Sequence, residues 1–247
     1  MLLRRIANAI RRQDWFTVAI EFILVVAGVL VALQVNTWNE DRQQATIHAA
    51  YIERLHRDFT VIDQRIAEHF VTYQKTTDGA DYILSLLRAS DAEFAMLEID
   101  DAKMKTALRW INAWRIPPPV PATYSEMLAE GQLSKLQSQR LRDKLAEYAQ
   151  FVTILQEFSR AVSYSIAHQS PVILRHFDAH TVSDDSNLSG IKAEIISYDL
   201  EGMRADPEFF VSTRLSKERT MNALEVRKLQ KALIDEIFAL IEEERTR

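Results

Sequence analysis

Two histidines one helical turn apart are the clearest candidates for metal binding or catalysis in this sequence. His176 and His180 stand at i and i+4, a spacing that suits a zinc ion on a helix, and the nearby Asp184 and Asp185 could add oxygen ligands. A zinc hydrolase also needs a third ligand and an acid that serves as general base, and no Glu follows the first His. The pattern favours solvated surface histidines, with a metal-dependent hydrolase as the less favoured alternative.

Other signatures of catalysis are missing from the sequence. The acid pairs at 100–101 and 184–185 match neither an EF-hand loop nor a two-carboxylate glycosidase site. No GxSxG, Walker or dinucleotide motif occurs, and five glycines leave little room for phosphate-binding loops. The absence of cysteine rules out disulfides and thiolate metal sites. We therefore expect a protein that is not an enzyme, with no catalytic residue, no cofactor and no metal.

A second notable feature of the sequence is a glutamate inside a long apolar run. The run from Trp15 to Val35 contains one formal charge, Glu21, and as a helix it reaches about 31 Å, the thickness of a bilayer's hydrocarbon core. Residues 15–36 are thus predicted to form a transmembrane signal-anchor helix. The alternatives are a cleaved signal peptide, whose apolar region is normally shorter and ends in a small-x-small site, and a buried helix of a soluble protein.

One face of this predicted helix combines the acid with small residues. At 100° per residue a narrow stripe contains Glu21, Val25, Gly28, Ala32 and Val35, and the pair Gly28-x-x-x-Ala32 permits close approach of a second backbone. An ionised carboxylate is costly in lipid and usually points at protein, water or a partner base. We interpret the stripe as a contact face for another membrane protein or for a copy of this chain. Alternatively, Glu21 reaches water at the headgroups and contributes little.

The residues that flank the run predict its orientation. Basic residues precede the run, whereas the segment after it is mainly polar and acidic; the basic residues are Arg4, Arg5, Arg11 and Arg12. By the positive-inside rule the N-terminal segment 1–14 faces the cytoplasm, where anionic lipids attract its arginines. Trp15 and Trp38 stand at the two ends, where indole rings favour the headgroup region.

Composition predicts an all-α fold for the rest of the chain. Gly and Pro total only 5 and 6 of 247 residues, and good helix formers dominate. About 210 residues follow the anchor, enough for a real core. We predict an antiparallel helical bundle over residues 37–247, on the periplasmic side of the inner membrane. The net charge of -5, with interspersed signs, argues against nucleic acid as a partner.

Periodicity and turn residues divide this domain into helices. The first predicted helix continues from the anchor to Thr77 and stops at Asp78-Gly79; a short helix 80–89, a helix 100–115 and a rigid proline linker 116–121 follow. The next helix is capped by a Thr123/Glu126 box and ended by Gly131, and another begins at Ser138 and is ended or kinked at Pro171. The last predicted elements are a short helix 172–180, a loop 181–190 and a terminal helix 206–247 with Pro207 in its first turn. The apolar side of the terminal helix is predicted to contain Leu224, Leu229, Leu233, Ile237 and Leu240.

Two segments of the chain resemble a known family. The combination of RRQDW, an acid in the apolar run, VVAGV, ALQV and WNE resembles the start of a bacterial family of single-pass proteins catalogued as a domain of unknown function. The segment TYSEMLAEGQLSKL, followed by LRDKLAEY, is similar to that family's second recurring segment. The resemblance covers about a quarter of the chain. It implies an anchored helical envelope protein and transfers no activity or catalytic residue.

These observations lead to a functional expectation. We expect a non-enzymatic accessory or scaffold protein of the bacterial inner membrane that binds lipids and either another integral membrane protein or a copy of itself. The alternative is a periplasmic ligand-binding or sensor module, which would need a membrane partner because a tail of about fourteen residues cannot hold a signalling output domain.

Overall fold

The fold is all-α, as composition predicts. The computed structural model describes residues 15–183 and 191–246, without the side chains of 15–18, 41, 191 and 192. The chain divides into a unit up to Tyr51 and a unit from Ile52 onward. The elements in chain order are α1 (Trp15–Arg88), α2 (Asp91–Phe94), α3 (Asp101–Trp110), α4 (Ala122–Ala129), a 3₁₀ turn (Gln132–Lys135), α5 (Gln139–Leu174), β1 (Phe177–Ser183), β2 (Ile191–Tyr198), α6 (Leu200–Ala205) and α7 (Pro207–Arg245).

Helix α1 does not stop at Asp78-Gly79. It continues through Gly79 to Arg88, so the predicted separate helix 80–89 is the end of α1. The glycine serves packing instead: a Cβ at Gly79 would lie 2.9 Å from the Cα of Ala107 in α3, closer than two such atoms can approach. Gly79 therefore marks a close helix contact and not a helix end.

The predicted capping box at Thr123 and Glu126 is wrong, because the backbone N–H of Thr123 and the carboxylate of Glu126 both bind side chains of α1. Helix α4 begins after Pro121, which makes no side-chain cap. The backbone N–H of Thr123 donates to Asp58 at 3.0 Å, and the carboxylate of Glu126 accepts from Arg54 at 2.9 Å. Residues 116–121 are non-helical, as the prolines predict.

Helix α5 begins where the sequence predicts and ends later. The Ser138 side chain accepts a hydrogen bond from the N–H of Leu141 at 3.2 Å, which caps the helix. Gly131, just beyond α4, has a φ of 67°, a left-handed conformation that favours glycine. Pro171 lies inside α5 and does not end it, since the helix continues to Leu174.

A β-hairpin replaces the predicted helix 172–180. Strands β1 and β2 are antiparallel, with Phe177 opposite Tyr198. Ile195 of β2 is buried in a cluster with Ile173, Met203 and Phe209, so the hairpin covers one end of the helical core. Residues 181–183 of the predicted loop belong to β1, and 184–190 lie outside the described residues.

Helix α7 runs antiparallel to both long helices of the second unit. As predicted, it begins at Pro207, and Asp206 caps it through the N–H of Glu208 at 2.8 Å. Residues further along α7 pair with residues that come earlier in α1 and in α5. Against α1 these pairs are Glu53–Arg245, Asp63–Lys231 and Asp81–Lys217, and against α5 they are Tyr148–Gln230, Gln169–Arg219 and Arg175–Asp206. The predicted antiparallel arrangement of helices is therefore present in this unit.

Candidate functional site

The N-terminal part of α1 exposes an apolar surface. Every described side chain from Ala19 to Glu40 is exposed. The large apolar side chains among them are Ile20, Phe22, Ile23, Leu24, Val25, Val26, Val29, Leu30, Val31, Leu33, Val35 and Trp38. An 18-residue window of this helix has a mean hydropathy of 2.2 and none of it is buried, which makes it a candidate membrane span by length and composition. Because the run is not buried, the alternative of a core helix does not fit this structure.

The predicted contact stripe lies on this exposed surface. Glu21, Val25, Gly28, Ala32 and Val35 are all exposed, and among the described residues no atom other than those of the adjacent residues and nearby backbone of the same helix lies within 4 Å of a Cβ built on Gly28. The stripe is therefore open to a second helix. We name the stripe of these five residues the Glu21 face.

Polar groups take over where the apolar run ends. Asn36 donates to the Glu40 carboxylate at 2.6 Å, and the Thr37 hydroxyl donates to the Leu33 carbonyl at 3.0 Å. Trp38 is 66% exposed beside them. Trp15 begins the helix, and the four predicted anchoring arginines (4, 5, 11 and 12) lie outside the described residues.

The two histidines are not one helical turn apart. His176 precedes β1, where its Nε2 lies 2.7 Å from the Asp206 carboxylate, and a hydrogen bond from His176 lowers the pKa of Asp206. The His176 side chain is only 10% exposed, so the prediction of a solvated histidine is wrong there, whereas His180 is exposed within β1. Between Trp15 and Thr246, leaving out 184–190, no three His, Asp or Glu side chains converge as metal ligands do. The helical spacing behind the zinc hypothesis is therefore wrong, and Asp184 and Asp185 lie outside the described residues.

A polar cluster is buried between α1, α5 and α7. Arg227 is 2% exposed; its Nε donates to Nδ1 of His69 at 3.2 Å and its Nη1 donates to Oε1 of Gln230 at 2.9 Å. The Gln230 amide in turn donates to the Tyr148 hydroxyl at 3.1 Å. We name these four residues the Arg227 cluster. All its hydrogen-bond acceptors are neutral, so a buried cation is held without a carboxylate among the described residues.

Burial sets the protonation of this cluster. Burial and, to a lesser extent, the positive charges of Arg227, Arg115 and Arg65 together lower the pKa of His69 to about 3. His69 is therefore neutral near pH 7, and its Nδ1 can accept a hydrogen bond from Arg227. Burial also raises the pKa of Tyr148 to about 12, which keeps its hydroxyl a neutral hydrogen-bond partner.

The Arg227 cluster has no room for a substrate. The cavity beside it, bounded by Trp114, Leu155 and Ala223 among others, holds about 10 Å³, roughly the space of one water. A neutral histidine bonded to Arg227, and an amide bonded to Arg227 and to a phenol, also leave no activated nucleophile. The cluster therefore acts in structure, because the bonds of Arg227 to His69 and of Gln230 to Tyr148 join α7 to the other two helices.

Sequence reasoning missed Arg227 and Gln230. The predicted core residue Leu229 is 64% exposed, whereas Leu233, Ile237 and Leu240 are buried as predicted. Spacing could have found the two polar residues: positions 227, 230, 234, 237 and 241 step by three and four, and Ile234, Ile237 and Ile241 complete this buried row.

Comparison of the chain with protein-family models, with curated proteins and with solved structures finds no match. The resemblance of the anchor and of the segment 123–148 to a family of single-pass proteins thus stays a prediction.

Proposed function

We propose that the protein is a single-pass, membrane-anchored accessory or scaffold protein without enzymatic activity. One observation carries the proposal: the same chain contains a helical unit with its own buried core and an apolar helix of which no described side chain from Ala19 to Glu40 is buried. A continuous apolar surface of this length is rare on a protein in water and is expected to be covered by lipid or protein. Lipid covers most of it in our proposal.

The proposed orientation follows the charges that flank the run. Four arginines precede it and favour a cytoplasmic N-terminal segment, so that the unit from Ile52 onward faces the periplasm. The lack of native cysteine makes this testable with a single introduced thiol. Met96 is 89% exposed, so Met96→Cys should react with a membrane-impermeant maleimide on intact spheroplasts. In contrast, Asn8→Cys should react only after permeabilisation. The reverse pattern would overturn the orientation.

The proposed partner surface is the Glu21 face. Small residues at Gly28 and Ala32 allow a second helix to approach, and a carboxylate in lipid is stabilised by a donor or base on that helix. The partner is another integral membrane protein or a copy of this chain. The non-enzymatic part of the proposal is supported by the closed Arg227 cluster and by the separation of the two histidines.

Copurification tests the partner surface. The tagged chain, expressed at native level and extracted in mild detergent, should bring down a stoichiometric membrane protein or a second copy, and Glu21→Ala should lose it. Glu40→Ala is the matched control, because Glu40 is an acid of the same helix outside the apolar run. Isolation of wild type and Glu21→Ala as the same lone monomer would contradict the proposal.

A second candidate function, a ligand-binding or sensor module, is favoured by a cleft in the helical unit. The cleft lies between α5 and α7 and contains an arginine without a carboxylate partner among the described residues. It is compatible with an accessory role, since a ligand could regulate the contact with a membrane partner.

A further inference from the structure

The cleft between α5 and α7 is far larger than the cavity beside Arg227. It has a volume of about 410 Å³ and opens to solvent. Its α5 wall consists of Phe158, Ala161, Val162, Ser165 and Gln169, and its α7 wall consists of Leu215, Glu218, Arg219 and Asn222. A volume of this size accepts a small organic molecule.

Arg219 is held in this cleft by neutral groups. Its Nη1 donates to Oε1 of Gln169 at 3.0 Å, and its Nη2 donates to Oδ1 of Asn112 and to Oγ of Ser216, both at 3.2 Å. The Nε is buried and has no hydrogen-bond partner among the described residues. Burial lowers the pKa of the guanidinium, and no described carboxylate offsets that cost.

Such an arginine is prepared to bind an anion. Gln169, the present acceptor at Nη1, itself lines the cleft, so an entering carboxylate can take its place. The exchange replaces a neutral amide acceptor by a carboxylate, which carries the opposite charge and can accept two parallel N–H bonds from a guanidinium. Ser165 on the α5 wall and Asn222 on the α7 wall are further polar residues that line the cleft.

The rest of the lining restricts the chemistry of that anion. Phe158 and Leu215 are 43% and 38% exposed and offer apolar surface to the body of a ligand. Glu218 also lines the cleft, and its carboxylate lies 3.7 Å from the Arg214 guanidinium, both being half exposed to solvent. A second negative charge on the ligand would be repelled by Glu218, which disfavours phosphate and dicarboxylates.

We propose that this cleft binds a small organic monocarboxylate, with the carboxylate on Arg219 and an apolar body against Phe158 and Leu215. This goes beyond the accessory function, because it assigns a ligand site to the helical unit at a distance along the chain from the Glu21 face.

Calorimetric titration of the detergent-solubilised full chain tests the proposal. The probes are 3-phenylpropionate, its neutral analogue 3-phenylpropan-1-ol, and inorganic phosphate. We expect saturable binding and a rise in melting temperature with the carboxylate alone. Arg219→Gln should weaken binding about tenfold or more, whereas Arg160→Gln, which changes an exposed arginine of α5, should leave it unchanged. Equal binding of the alcohol, or equal affinity in Arg219→Gln, would overturn the assignment.

A steric pair keeps the test valid if Arg219→Gln is unstable. Ala161 is exposed and lines the cleft, so Ala161→Trp should fill it and abolish binding. Ala167 is exposed on the same helix and is not part of the lining, so Ala167→Trp should bind as wild type does. Unchanged binding in Ala161→Trp would place the ligand elsewhere and contradict the proposal. Neither variant alters the Glu21 face, so copurification of a membrane partner is judged separately.

Discussion

The two ends of the chain have opposite patterns of burial: apolar side chains are exposed near the start, and polar side chains are buried near the end. Along α1 from Ala19 to Glu40, leucines, valines and a phenylalanine are exposed, whereas in α7 an arginine and a glutamine are almost fully buried. In water alone, both arrangements would be unfavourable. In the proposed function, lipid surrounds the first region. In the second region the hydrogen-bond partners come from α7 itself, through Gln230, and from the neighbouring helices, through His69 and Tyr148.

The two regions also differ in which residues fix the orientation of their helices. The exposed part of α1 has few polar groups, so under the proposed function lipid would accept it in many rotations, and we propose that the Glu21 face selects one of them. In the second unit, apolar burial supplies most of the stability. The Arg227 cluster contributes alignment, because a shift of α7 by one turn would separate Arg227 from His69 and Gln230 from Tyr148.

The largest expected effect comes from exchanging phenylalanine for alanine in each region. Phe59 is fully buried and packs edge-on against Tyr148 with centroids 5.1 Å apart, so Phe59→Ala should lower the free energy of unfolding by about 4 kcal/mol. Phe22 is 68% exposed, and Phe22→Ala should leave it unchanged within about 0.5 kcal/mol. Urea unfolding of the detergent-solubilised chain, followed by near-ultraviolet circular dichroism, measures both. Equal losses would abolish the distinction between the regions.

A smaller effect is expected in the Arg227 cluster. Arg227→Ala removes the donor to His69 and Gln230 and leaves both acceptors buried and unpaired, so we expect a loss of about 3 kcal/mol. Lys228→Ala, one residue further on and 62% exposed, is the matched control and should change the free energy of unfolding by less than about 0.5 kcal/mol. A neutral result in Arg227→Ala would show that the cluster does not hold the helices in register.

Acid should weaken the cluster through His69. The pKa of His69 is about 3 in the folded chain against an ordinary value of 6.5, so the unfolded chain takes up a proton that the folded chain refuses as the pH falls below 6.5. Between pH 7 and pH 5 this costs about 2 kcal/mol of stability. His69→Gln should show a correspondingly smaller loss over that range in urea unfolding at both pH values. Identical pH dependence in the two proteins would contradict the assigned neutrality of His69.

The smallest expected effect is at the start of α5. Ser138→Ala removes the cap on the Leu141 N–H and should cost about 1 kcal/mol in urea unfolding. Ser163→Ala, an exposed position within the same helix, is the control and should change the free energy of unfolding little. A loss at Ser163 as large as that at Ser138 would mean that the cap has no special role.

Features that depend on local chemistry could be predicted from the sequence. The cap at Ser138, the left-handed Gly131 and the start of α7 at Asp206-Pro207 each need only a few neighbouring residues, and all three are present. The apolar run of α1 follows in the same way from composition.

Features that depend on distant partners could not be predicted. Gly79 resembles a helix end until the contact with Ala107 is known, and Glu126 resembles part of a capping box until Arg54 is placed beside it. The segment around His180 has mixed propensity, and it becomes a strand because β2 pairs with it. Arg227 and Gln230 of α7 were missed because polar residues were excluded from the core by type, although the spacing of these two matches the buried row.

The central claim is that the Glu21 face binds another membrane-spanning chain. The most direct test is the particle mass in mild detergent of wild type beside a matched small-to-large pair, Gly28→Ile on the face and Ala27→Ile about 100° away from it. We predict that wild type and Ala27→Ile run as an assembly heavier than the 28.5 kDa chain with its bound detergent, and that Gly28→Ile runs as the monomer. A monomeric wild type, or three particles of equal mass, would contradict the claim.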